Sequence, residues 1–130
     1  LPDAGVIDTP IAPDRKNPKR VLIVDGVAPR TGKNRARSAE TRYRVVKIVG
    51  DLALVEVTVS RALRHQIRAH LASIGHPLVG DVVYGGPPSE ALGERHALHA
   101  SYIAWAGDDT VAGFALEEPL PGDMASLIAG

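Results

Sequence analysis

Three arginines, Arg61, Arg64 and Arg68, follow one another at spacings of three and four. If a helix ran through all three, those spacings would put them on one face. A cationic face at a helix start opposes the helix dipole, which favours anions there. Such a face would draw a phosphate or a carboxylate. Equally, long arginine stems can cover apolar surface while their heads stay in water, and spacing alone does not choose. Five histidines crowd the middle of the chain: His65, His70, His76, His96 and His99. Metal binding fits them poorly. His65 and His70 are five apart, not the four that sets two ligands on one helix face. His96 and His99, at the start of a strand, would point to opposite faces. Satisfied buried or capping roles suit most of the five better. Asp108-Asp109 and Glu117-Glu118 are adjacent pairs, as found at turns and strand ends. No phosphate-binding glycine loop and no nucleophile elbow occurs.

Charge adds a second signal. The 130 residues carry no net charge. Yet Arg15 to Lys47 hold 11 Lys and Arg against only Asp25 and Glu40, a local +9, while residues 48–130 sum to −6 and residues 1–14 to −3. A basic segment on a neutral chain suits phosphate contact or a solvated loop and strand surface. The absence of cysteine excludes disulfides and thiolate metal sites and fits a reducing, cytoplasmic setting. No apolar run approaches the ~18 residues of a membrane span, and Leu1–Gly5 does not resemble a signal peptide. With no initiator Met, the chain reads as part of something longer.

Elements must position these groups. Residues 8–20 hold three prolines and read as an extended connector. Val21–Val24 is a short strand candidate, with Asp25-Gly26 as a turn. Residues 28–40 are polar, without an apolar period, and read as a loop. Thr41 to Val49 is β-branched, with Tyr43 and Val45 on one face and Arg42 and Arg44 on the other. Gly50-Asp51 suits a two-residue hairpin turn. Leu52 to Ser60 alternates, with Val55, Val57 and Val59 inward, as a half-buried strand does. The period then changes. Ile67, Leu71 and Ile74 recur at helical spacing, and Gly75 and Pro77 stop the run, so a helix spans about His65 to Ile74. Gly86 to Glu90 is a surface loop. Ala97–Ala106 and Thr110–Glu118 read as strands around Gly107-Asp108-Asp109, and residues 122–129 as a short terminal helix. The class is α+β in one domain, with a mostly antiparallel sheet and a central helix.

At Arg64-His65-Gln66-Ile67-Arg68-Ala69-His70-Leu71 the sequence resembles the RluA-type pseudouridine synthases. Further likenesses follow in order: Gly75-His76-Pro77-Leu78-Val79-Gly80-Asp81, Tyr84-Gly85-Gly86, Arg95-His96-Ala97-Leu98-His99-Ala100, then Phe114 and Pro119-Leu120-Pro121-Gly122-Asp123. Upstream, Ala39-x-Thr41-x-Tyr43-x-Val45 also matches. The likeness spans nearly the whole chain. It implies a mostly antiparallel mixed sheet with a central helix, part of a pseudouridine synthase fold. It also implies isomerisation of uridine to pseudouridine in structured RNA, rRNA or tRNA, with the target base flipped out of its helix. No cofactor and no metal is implied.

In the family an arginine of the His-Gln-Ile-Arg motif pairs with a catalytic aspartate. That arginine maps onto Arg68. An apolar residue lining the uracil pocket maps onto Leu98. The aspartate belongs to an upstream His-Arg-Leu-Asp motif that these 130 residues do not contain. The resemblance therefore implies the C-terminal portion of a catalytic domain. Its partners would be RNA and the N-terminal half of the same protein, and the portion alone is expected to be inactive. Arg61, Arg64, His65, Arg35, Arg37 and Arg42 are the expected RNA-binding residues. Tyr43 belongs to a different family motif from the active-site tyrosine, and Asp81 reads as structural, in a turn with side-chain caps. One departure bears on substrate and activity. Where the family reads Thr-Gly-Arg, this chain has Arg61-Ala62-Leu63. The rival reading is a non-catalytic RNA-binding or interaction domain on the same scaffold.

Overall fold

A computed structural model describes residues 1–24, 35–61, 63–90, 92, 96–98, 102–107, 112–117 and 120–127, the last three spans in part by backbone alone. In chain order the elements are β1 (Ala4–Ile7), β2 (Ile11–Pro13), β3 (Val21–Ile23), β4 (Thr41–Val49) and β5 (Leu52–Thr58). Next come α1 (Gln66–Ser73), a 3-10 turn (Val82–Tyr84), β6 (Tyr102–Gly107), β7 (Ala112–Glu117) and α2 (Gly122–Leu127). Every strand pairing described is antiparallel. The strands form a three-stranded sheet with β4 in the centre and two hairpins, β2–β3 and β6–β7. The α+β class therefore stands.

The β4–β5 hairpin turns at Gly50-Asp51, and Gly50 takes φ +57°, which glycine adopts without a Cβ penalty. A register shift falls between Val45 and Lys47, where β4 holds an extra residue opposite β5. Beyond it, Val46 and Ile48 are exposed. β5 stops at Thr58, short of the expected Ser60. Ile11–Pro13 of the expected connector pairs with Val21–Ile23 instead of running free, and its apolar Ile11 and Ala12 are buried together with Val21. β1 was not anticipated. Four residues are too few for a periodic signal, and Gly5 serves as a flat seat for the Tyr43 ring. β6 begins at Tyr102, not Ala97; Ala97 lies in a bend pinned by its N–H to the Val79 carbonyl (2.8 Å). The expected turns at Asp25-Gly26 and Asp108-Asp109 lie outside the described residues.

Helix α1 ends as Gly75 and Pro77 foretold. The Gly75 N–H bonds the Ala72 carbonyl and the His76 N–H bonds the Leu71 carbonyl, a Schellman pair with Gly75 at φ +86°. Its start falls within one residue of the expected His65 and does not extend one turn back. The helix begins at Gln66, so Arg61 and Arg64 precede it and share no helical face with Arg68. The Leu63 N–H donates to Gln66 Oε1 (3.0 Å), and the Gln66 N–H donates to the Leu63 carbonyl (3.1 Å). This reciprocal closure does the work of a capping box. It brings the chain in through His65, the only non-glycine residue at positive φ (56°) among those described. Such a conformation costs about 1–2 kcal/mol and must be held by its neighbours.

The core has two parts, and α1 joins them. Ala69 packs with Ile11, Val21, Ala39 and Tyr84, whereas Leu71 packs with Ile7 and Tyr43. Burying a leucine such as Leu71 stabilises by roughly 1.5–3 kcal/mol. The apolar period pointed to Ile67, Leu71 and Ile74, but Ile74 is exposed and the polar Gln66 and His70 are almost wholly buried. Their polar atoms are satisfied. Gln66 Nε2 donates to the Glu40 carbonyl and to Thr41 Oγ1. The Thr41 hydroxyl meets His70 Nδ1 at 2.7 Å, and His70 Nε2 donates to the Thr9 carbonyl at 2.8 Å. A paired buried polar network ties elements together, whereas an unpaired one is costly. This one ties α1 to β4 and to the β1–β2 link.

Candidate active site

Arg68 projects from α1 toward the loop that carries Asp81. Its Nε donates to Asp81 Oδ2 (2.9 Å) and its Nη2 to Oδ1 (2.8 Å). The Asp81 side chain is 1% exposed and that of Arg68 15%. This is a forked, charge-assisted pair. The hydrogen bond to Asp81 raises the arginine pKa, so the guanidinium stays charged. Asp81 was expected to cap its turn, yet its carboxylate makes no cap and reaches back to Arg68.

His65 and Tyr84 pack around the pair. Arg68 Nη1 donates to His65 Nε2 at 3.1 Å, and His65 Nδ1 lies 2.9 Å from the Tyr84 hydroxyl. Arginine can only donate. Nε2 therefore accepts, and the neutral ring carries its proton on Nδ1, which donates to Tyr84. The Val21 N–H also donates to that hydroxyl (2.8 Å). The Tyr84 ring meets His65 edge-on at 5.8 Å, and the guanidinium carbons of Arg20 and Arg68 each lie 5.2 Å from its centre. These contacts hold His65 in its left-handed conformation.

His65 should thus be a neutral group. Burial first, then the charges of Arg68 and Arg64, push its pKa below 6.5, against a smaller upward pull from Asp81. A base with a lowered folded pKa binds its proton more readily when unfolded. Its contribution to stability is therefore whole above about pH 6.5 and is lost as pH falls from there through the lowered value. We expect His65→Asn, which tolerates positive φ, to flatten the stability-versus-pH slope in that window. Denaturant midpoints measured at several pH values provide the check. Equal slopes for both proteins would contradict it.

The other expected site residues are scattered. Leu98 is 37% exposed, on the segment that Ala97 fastens to Val79, two residues before Asp81. His96, on the same segment, lies near enough to depress the His65 pKa. The positions of Leu98 and Arg68 thus come to one loop. Arg64 is exposed, and its Nη2 donates to the Pro18 carbonyl (2.8 Å). Arg42 pairs with Glu40 at 2.7 Å and Arg44 with Glu56 at 3.2 Å. Arg35, Arg37 and Arg61 instead line one open pocket. Ala62 lies outside the described residues, while Leu63 is half-buried against the Ile11–Ala69 core. Sequence reasoning missed Asp81 and Tyr84 as contacts of Arg68, and Arg20 as a second cation over the Tyr84 ring. Only the Tyr84-Gly85-Gly86 and Gly80-Asp81 motifs marked two of them.

No protein-family model matches the chain. A Chloroflexus aurantiacus protein named as an uncharacterized RNA pseudouridine synthase is 36% identical over 128 residues, 98% of this chain. The ribosomal large subunit pseudouridine synthase D of Nitrosomonas europaea is 36% identical over 131 residues, 95% of this chain. The chain belongs to the RNA pseudouridine synthase family. It spans 37% and 36% of the lengths of those two relatives. The solved structure of human RNA pseudouridylate synthase domain containing 1 superposes with a TM-score of 0.71 at 22% identity, over 96% of this chain and 52% of that one. The fold is therefore that of a pseudouridine synthase. Among the described residues no helix is long and apolar enough to cross a membrane.

Proposed function

We propose that the whole protein isomerises uridine to pseudouridine in structured RNA, rRNA or tRNA. This chain is read as the C-terminal portion of its catalytic domain. The observation that carries the reading is the 36% identity, along nearly the whole chain, to proteins named as pseudouridine synthases. Arg68 would supply one half of the active site and a His-Arg-Leu-Asp segment outside this sequence the other. Donor counting supports that role. A guanidinium has five N–H groups. Asp81 takes one on Nε and one on Nη2, and His65 takes one on Nη1. The remaining Nη1 and Nη2 protons can meet a second carboxylate, keeping it ionised beside the uracil and sugar. Leu98 would give the base an apolar contact. The aspartate would act at the sugar or the uracil as nucleophile or base.

The rival reading, a non-catalytic RNA-binding domain, draws on one observation: Arg68 already has a buried carboxylate partner in Asp81. Activity separates the two. Unmodified ribosomal and transfer RNA, incubated with the whole protein, should gain pseudouridine in the digested product. The 130-residue chain alone should form none, having no catalytic aspartate. Turnover by the chain alone would refute the placing of the aspartate, and no product from the whole protein would favour the rival.

A further inference from the structure

We propose that Arg35, Arg37 and Arg61 form a discrete phosphodiester-binding site for the RNA backbone. The inference rests on the RNA reading above. Two chain segments far apart in sequence make the site. Residues 35–38 form one wall, and Arg61 with Leu63 the other, around an open pocket of about 310 Å³. Among the described residues its lining is Arg35, Ala36, Arg37, Ser38, Arg61 and Leu63, with three guanidinium residues, one hydroxyl and no acid.

The three arginines are exposed and take no part in the ion pairs shown among the described residues. Their neighbours in sequence differ: Arg42 and Arg44 each have a carboxylate. Cations gathered without a counter-charge repel one another, and an anion between them relieves that repulsion. Guanidinium forks suit phosphate oxygens, and the Ser38 hydroxyl adds a donor.

The walls are set in advance by backbone bonds. The Arg37 N–H donates to the Ile11 carbonyl (2.8 Å) and the Ile11 N–H to the Arg37 carbonyl (2.9 Å), which fastens residues 35–38 to the buried end of β2. Leu63 is held by Gln66 across the start of α1. Among the described residues no aromatic ring lines the pocket, and the groups they present there are suited to phosphate rather than to base stacking. Its chemistry is that of a backbone contact, one that fixes register rather than reads sequence.

The test measures binding of the whole protein to an RNA hairpin by fluorescence anisotropy across a salt series. Two triple variants remove equal charge. One is Arg35→Gln/Arg37→Gln/Arg61→Gln, and the control is Arg15→Gln/Lys19→Gln/Arg44→Gln. Loss of one phosphate contact should shrink the slope of log K against log salt by roughly 0.7–0.9 and weaken binding about tenfold near 0.1 M salt. The control should keep the wild-type slope. An unchanged slope in the first variant, or equal flattening in both, overturns the site. A small free anion shares the chemistry. If inorganic phosphate binds the unsubstituted protein and the pocket substitutions abolish that binding while leaving RNA affinity and its salt slope unchanged, the backbone assignment falls. Pseudouridine formation by the unsubstituted protein is read separately. A slope difference without product would keep this site while the catalytic reading fails. No RNA binding at all would overturn both.

Discussion

Arg68→Ala should abolish most single-turnover pseudouridine formation in the whole protein and destabilise its fold. The substitution strands the Asp81 carboxylate, 1% exposed, without its cation. Breaking a buried pair this way costs about 3–5 kcal/mol. It also removes the donor to His65 Nε2 and one cation over the Tyr84 ring. Arg68→Lys keeps the charge but cannot meet both carboxylate oxygens through a planar fork, so it should recover part of the stability and little of the rate. Asp81→Asn leaves an acceptor for Arg68 and should cost less. The double variant Arg68→Ala/Asp81→Asn should fall well short of additive, because both changes disrupt one interaction. Denaturant midpoints read the stability. Single-turnover rates at saturating protein, taken where each variant is folded, separate chemistry from affinity. A near-wild-type rate for folded Arg68→Ala would leave Arg68 as a structural partner of Asp81 only and remove it from the active site.

Gly86→Ala should be nearly as damaging, for a steric reason. A Cβ there would overlap the Leu78 carbonyl oxygen and stand 2.9 Å from the Asp81 carbonyl oxygen and 3.1 Å from the Asp81 nitrogen. These are backbone atoms, so no side chain can swing away. The Gly86 N–H donates to the Asp81 carbonyl (2.7 Å), and the Gly80 N–H donates to the Pro87 carbonyl (2.6 Å), closing the loop on itself. Relief of the overlap must shift the backbone at Leu78, Asp81 or Gly86 itself. Overpacking costs typically 1–3 kcal/mol, and a backbone clash belongs at or above the upper end. Gly85→Ala is the comparison. Gly85 sits at φ +87° with nothing within 4 Å of its Cβ position, so it carries only the positive-φ penalty of about 1–2 kcal/mol. Chemical denaturation of the two variants side by side should rank Gly86→Ala lower in stability. Equal midpoints would show that the loop yields without cost.

Local patterns in the sequence determined much of this protein. The 3.6 period with Gly75 and Pro77 located α1, alternation located β5, and Gly50-Asp51 located the hairpin turn, because each is read over a few consecutive residues. The ordered motifs from Ala39 to Asp123 carried the family. Charge counting and spacing found the arginines of the basic segment and of the helix start but treated them alike. Tertiary structure sorted them. Arg42 and Arg44 found carboxylates, Arg64 a carbonyl, and Arg35, Arg37 and Arg61 one pocket. The pairing of Arg68 with Asp81 spans 13 residues through a loop without period, so no spacing rule could foresee it. Likewise spacing alone left open whether the helix extends one turn back to take in Arg61 and Arg64; the fold starts it at Gln66, whose side chain closes on Leu63. A residue's type and spacing determine which partners it can hold. Which partner it does hold depends on contacts between distant segments, formed only once the chain has folded.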